Sequence, residues 1–143
     1  MGLCSNLEVG PTSIRTGHNK CLIVDIVEFI LKHKGEWAWK DCSDKDIQAS
    51  LEYFVYTNGL IIVIEDQQLS AVATIELDQA SCVVELDNIV AINNRAFNTI
   101  AFIIASKLPG WHLRYTHKGK EYYYDSEKVV NLLEKLSYGI RKN

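Results

Sequence analysis

Long apolar runs are missing from this chain: no stretch stays apolar over the roughly 20 residues that a helix needs to cross a bilayer, so a membrane span is not expected. The opening Met1-Gly2-Leu3-Cys4-Ser5-Asn6 lacks the hydrophobic core of a secretory signal, which predicts that the protein stays in the cytoplasm. Asn6 stands where a myristoylation signal wants Ser or Thr, so acylation at Gly2 and Cys4 is not expected either. Cys4, Cys21, Cys42 and Cys82 show no C-x-x-C spacing and do not form the dense framework of small secreted domains. Free thiols in a reducing compartment follow. Positive charge is also in short supply. With 15 Lys+Arg against 18 Asp+Glu the net charge is -3, and nothing draws the whole chain to phosphate backbones or anionic lipid. Internal repeats and low-complexity tracts are absent.

What remains is the composition of an ordinary globular protein, 48% hydrophobic and 23% charged over 143 residues, enough for one core. Residues 1–18 hold Gly2, Gly10, Pro11 and Gly17 without a sustained apolar pattern, and are expected to form a flexible N-terminal arm with at most a short strand. Residues 19–143 are expected to form a single domain.

Within that domain, Leu22/Ile23, Ile26/Val27 and Ile30/Leu31 make a helical stripe from Lys20 to Lys34. Ser43 with Asp46 is close to a capping box and starts a second helix that runs to Tyr56, before Asn58-Gly59. Between the two helices, Trp37 and Trp39 are expected to anchor the linker onto the core. Leu60–Ile64 and Leu69–Leu77 read as a β-hairpin around Glu65-Asp66-Gln67-Gln68. Cys82–Ile92 reads as a third strand. Strict alternation would put Val84, Leu86, Val90 and Ile92 on one face and Val83, Glu85, Asp87 and Ile89 on the other. Asn93 or Asn94 can cap a third helix, apolar almost all round and so expected to be largely buried, which Pro109-Gly110 ends. Strands over 111–116 and 121–124 follow. A last helix, capped by Asp125 or Ser126, carries Val129, Leu132, Leu133 and Leu136 and stops before Gly139.

A strand, a helix and a further strand in one sheet imply a right-handed parallel crossover inside an otherwise antiparallel sheet. The prediction is an α+β domain with a mixed sheet of about five strands and about four helices. From residue 20 to 136 this order resembles the GNAT N-acetyltransferase superfamily, most nearly in Val83-Val84-Glu85-Leu86-Asp87-Asn88-Ile89-Val90-Ala91-Ile92 and the helix behind it. The resemblance implies an acyl-CoA-dependent N-acetyltransferase. Glu85 would be its base, Tyr122, Tyr123 or Tyr124 its acid, and Ile92, Asn94, Arg95, Ala96 and Phe97 the site for acetyl-CoA. The family's loop at this point, Q/R-x-x-G-x-G/A, lets backbone N–H groups meet a pyrophosphate. Here Asn93-Asn94-Arg95-Ala96-Phe97-Asn98-Thr99 contains no glycine. The chain's glycines are instead accounted for by helix ends, by turns and by the N-terminal arm.

The expected function is therefore that of a GNAT-like domain without catalysis or cofactor, acting as an accessory binding protein on a protein partner. Small domains of this kind resemble accessory proteins of phages and mobile elements. Acyl transfer is the alternative. Nucleic-acid binding through Lys107, Arg114, Lys118 and Lys120, with Trp111, Tyr115 and Tyr122 to Tyr124 stacking on bases, is a second alternative. The acidic whole and the strand alternation that separates Trp111 and Tyr115 from Arg114 speak against it, and a basic sheet edge that resists edge pairing explains the same lysines. His112 and His117 fall on opposite faces and are not expected to bind metal, and Cys82 is expected to be a buried thiol at a strand start.

Overall fold

In a computed structural model, residues 8–9, 19–35, 38–117, 119–131 and 134–135 are described. The elements are β1 (Glu8–Val9), α1 (Asn19–His33), α2 (Asp44–Tyr56), β2 (Leu60–Glu65), β3 (Gln68–Asp78), β4 (Val83–Ala91), α3 (Asn94–Lys107), β5 (His112–His117) and β6 (Lys120–Tyr124), with a last helical stretch at 126–131. One mixed sheet has the order β1-β2-β3-β4-β5-β6. The predicted α+β architecture holds: β2 to β6 are the expected strands, and β4-α3-β5 is the parallel crossover. The two-residue β1 adds a sixth strand, parallel to β2. Trp37, Lys118, Leu132, Leu133, Leu136, Gly139 and the Gly2–Cys4 acylation site lie outside the described residues, as does most of the arm over 1–18.

The elements begin where local chemistry favours them. At the start of α2 the Ser43 hydroxyl accepts from Asp46 N at 3.2 Å, and the Asp46 carboxylate accepts from Ser43 N at 3.2 Å, so two backbone donors at that end are satisfied reciprocally. Asp66 and Gln67 both take positive φ (52° and 65°), the conformation whose twist suits a two-residue hairpin between β2 and β3. The Asp125 carboxylate accepts from Lys128 N at 2.9 Å and caps the last helical stretch.

The sheet separates two apolar cores. On one side α1 and α2 cover Leu60, Ile62, Ile64, Val72 and Val90; on the other α3 covers Ile61, Val63, Ala71, Ala73, Ile75, Val84 and Leu86. Strand β2 alternates between them, as a period of two requires. Each fully buried Ile or Leu contributes about 1.5–3 kcal/mol relative to exposure, so residues such as Ile26, Ile47, Ile61 and Ile100 dominate the stability. Strand β3 is buried on both faces, including Ser70 and Thr74. Their hydroxyls are paired: Ser70 donates to Val63 O at 3.3 Å, and Thr74 accepts from the Asn88 amide at 3.2 Å. Trp39 anchors the α1–α2 linker as expected, buried and donating from Nε1 to the Ser50 hydroxyl at 3.0 Å.

Three sequence expectations need correction. Cys82 is exposed and not buried, because it stands in the turn before β4 with a positive φ of 55°. Helix α3 is buried along one face, through Ala96, Ile100, Ile103, Ile104 and Ala105, and not all round; Phe97 is 37% exposed. Strict alternation along β4 also fails, because the strand carries a bulge. Val84, Leu86, Ile89 and Ala91 pack on the α3 side, Val90 packs on the α1–α2 side, and Ile92 lies exposed beyond the strand.

Gly59 joins α2 to β2, donating to Phe54 O at 2.7 Å and accepting from Ile75 N at 2.8 Å. A Cβ there would collide with the Ile75 carbonyl and crowd the Phe54 ring. Gly59→Ala is expected to destabilise the protein by about 1–3 kcal/mol, read as a lower midpoint in urea; an unchanged midpoint would show that the helix–strand junction relaxes freely.

Candidate functional site

Strands β4 and β5 are paired only from Val83–Leu86 to His112–Tyr115. Beyond Leu86, β4 continues to Ala91 on β3 alone, and β5 continues to His117 on β6 alone. The two parallel strands therefore part toward their carboxyl ends, in front of the N-terminus of α3. A cleft of about 250 Å³ opens there, with Leu86, Asp87, Asn88 and Ile89 on the β4 side, Tyr115, Thr116 and Tyr122 on the β5–β6 side, and Gly35, Ala38 and Phe97 at its rim. A smaller cavity of about 120 Å³ lies under α3 and shares Leu86, Ile89, Phe97 and Tyr115 with the cleft.

The parting begins at the bulge. Leu86 pairs with Ile75 and Asn88 with Thr74, which leaves Asp87 without a partner on β3. Asn88 holds this geometry from both ends of its amide, donating to the Thr74 hydroxyl at 3.2 Å and accepting from Trp39 N at 3.0 Å. The α1–α2 linker is thereby tied to the cleft that Gly35 and Ala38 help to line.

Electrostatics divide the carboxylates around the bulge. Glu85 receives a bidentate pair from Arg114, with Nε at 3.2 Å and an Nη at 3.1 Å. Both side chains are partly exposed, so the pair contributes about 0–1 kcal/mol and acts mainly to orient the two groups. Asp87 has no such partner. Partial desolvation of its carboxyl, then a hydrogen bond with Glu76 and the negative charges of Glu76 and Glu85, push it up to about 7. Asp87 is exposed at the cleft mouth, so its carboxyl can meet an incoming group. Burial, followed by the hydrogen bond with Tyr124, raises the Tyr115 hydroxyl well above the ordinary tyrosine range and keeps it neutral.

The remaining residues singled out from sequence are dispersed. Tyr122 lines the cleft and stacks on Tyr115 with ring centroids 4.9 Å apart. Tyr124 lines the smaller cavity, and Tyr123 is exposed against His112 at 5.8 Å. His112 Nδ1 accepts from Ser126 N at 2.8 Å, tying β5 to the last helical stretch. At the N-terminus of α3 the Asn93 carbonyl group of the side chain accepts from Ala96 N at 2.8 Å, and its backbone carbonyl accepts from Phe97 N at 3.1 Å. Ala96 is fully buried, Asn94 and Ile92 are exposed, and Arg95 lies 3.9 Å from Glu65. Of the five residues implied for acetyl-CoA, only Phe97 reaches the cleft. Lys107 and Lys120 sit near opposite ends of β5, the latter 5.3 Å above the Tyr122 ring, and Arg114 is committed to Glu85. Trp111 and Tyr115 pack against the α3-side core. Among the described residues no group of three His, Cys, Asp or Glu side chains is placed to hold a metal, and no helix is long and apolar enough to cross a membrane.

No family model, curated protein or solved structure matches this chain. Its site is thus read from its own geometry. Asn88 and the bulge it holds are the functional features that sequence reasoning missed. A signal for them was present in the Asp87-Asn88 pair, where two turn-forming residues interrupt a run of strand formers.

The shift at Asp87 ties stability to pH. Folding raises the carboxyl from 3.8 to about 7, so between these limits the native state holds a proton that the unfolded chain has released. This contribution is fully present below pH 3.8 and is lost as pH rises through about 7. Asp87→Asn is expected to remove that decline and to be the more stable protein at pH 8, measured by urea denaturation across a pH series. Parallel pH profiles for the two proteins would refute the coupling.

Proposed function

We propose that the protein is a non-catalytic GNAT-like domain that works as an accessory binding protein on a protein partner, with the β4–β5 cleft as its binding site. The observation that carries this reading lies at the start of α3. The Asn93 side chain takes up the N–H group of Ala96, one of the donors that the helix leaves unpaired, and Glu65 faces Arg95 at 3.9 Å. A pyrophosphate needs free N–H groups and uncompensated positive charge at such a helix end. Glu85, the base that the GNAT resemblance implies, is likewise engaged by Arg114. The reading needs no cofactor. It places the protein in the cytoplasm, where Cys42 and Cys82, free thiols here, stay reduced, and its size and architecture suit the accessory proteins of phages and mobile elements.

One observation favours a second reading, N-acetyl transfer from acetyl-CoA. Asp87 lies in the cleft with a carboxyl that titrates near neutrality, the property wanted in a general base, and Tyr122 lines the same cleft. In that reaction Asp87 would take the proton of an attacking amine, the amine nitrogen would bond to the thioester carbonyl, and Tyr122 would protonate the departing thiolate.

Thermal denaturation separates the two. With millimolar acetyl-CoA the binding-domain reading expects an unchanged Tm. A ligand present at about 100 times its Kd adds about 2.7 kcal/mol, which for a domain of this size raises Tm by roughly 5–10 °C. A rise of that order would transfer the cleft to acyl-CoA.

A further inference from the structure

We propose that the β4–β5 cleft takes an extended peptide segment of the protein partner as an added strand, with an apolar side chain directed under α3 and a neighbouring basic side chain set against Asp87. The inference rests on the reading of the protein as one that binds a protein partner.

The main chain makes the first argument. Strand β4 keeps extended geometry to Ala91 and β5 to His117, yet their pairing stops at Leu86 and Tyr115. Among the described residues no strand lies between the two diverging segments. Each therefore turns main-chain donors and acceptors toward the cleft, and such edges are satisfied best by another extended backbone. An occupant with a regular series of N–H and C=O groups suits both walls, which is the chemistry of a peptide strand.

Side-chain alternation makes the second. Successive residues of an inserted strand point to opposite faces of the sheet. On one face the cleft continues into the apolar cavity formed with Ile100, Ile104 and Leu113 of the α3-side core. Toward the mouth stands Asp87, beside Glu76 and near Glu85. Arg114 is committed to Glu85, and the Asp87 carboxyl, raised to about 7 first by desolvation and then by Glu76 and Glu85, faces carboxylates and no cation among the groups that shift it. A lysine or arginine brought in by the occupant supplies that cation. Apolar and basic residues in adjacent positions thus match the two sides of the cleft.

The test uses the full chain and a set of capped pentapeptides with lysine at the centre and Leu, Val, Phe or Tyr on either side, followed by amide NMR. Binding members are expected to move the amide signals of residues 87–91 and 116–117 and to lower the pH at which Asp87 titrates. Methylating the peptide nitrogens of the lysine and the residue before it is expected to abolish binding, because strand pairing needs those N–H groups. Replacing the lysine by glutamate is expected to weaken binding about three- to fivefold, as for one half-exposed ion pair, and Asp87→Asn is expected to erase that preference while the unmethylated peptides still bind. Equal binding of methylated and unmethylated peptides overturns the proposal, as does the absence of any shift at millimolar peptide. If acetyl-CoA leaves Tm unchanged and the peptides fail, only the strand-insertion inference falls; if acetyl-CoA raises Tm, the reading beneath it falls.

Discussion

One asparagine amide holds the open end of the sheet together. Asn88 joins β3, through the Thr74 hydroxyl, to the α1–α2 linker, through Trp39 N. Asn88 is half-buried, and each of these bonds contributes about 0.5–1.5 kcal/mol, so both matter to the geometry. They stabilise the bulge at Asp87, and the bulge turns the rest of β4 away from β5. The cleft, the raised Asp87 carboxyl and the approach of Gly35 and Ala38 all follow from that departure. The same bond brings the buried Trp39 to its place, where Ser50 of α2 receives the indole N–H.

The two cores explain how so small a sheet can tolerate such a defect. Strands β2 and β3 are covered on both faces and carry the Ile and Val side chains that dominate burial. The β2–β3 ladder accommodates a register shift of its own, between Val63 and Ile64, and the bulge at Asp87 sits one strand further out.

Most of the architecture was legible in residues that act locally. Ser43 with Asp46, the β-branched run of β2, Pro109-Gly110 after α3 and Asp125 before the last helical stretch each mark an element by chemistry within a few positions. The site was less legible because it depends on contacts across the chain. The resemblance implies Glu85 as a base, and its bidentate pairing with Arg114, 29 residues away, is not legible in the strand that carries it. Asp87 and Glu85 do share an environment, as alternation suggested, but Ile89 and Val90 exchange sides because a bulge shifts the count by one. Asn93 was foreseen as a cap, and that same bond is what takes up donors at the start of α3.

The short seam between β4 and β5 also has a mechanical side. The pair of strands β5 and β6 reaches the rest of the sheet through the register Val83–Leu86 opposite His112–Tyr115 alone. A seam of that length is a pivot, and each residue beyond it adds about 3.3 Å of lever arm. A slight rotation about Leu86 would be magnified along β5 beyond Tyr115, at Thr116 and His117. At its closed end the Glu85–Arg114 ion pair spans the two strands like a clasp.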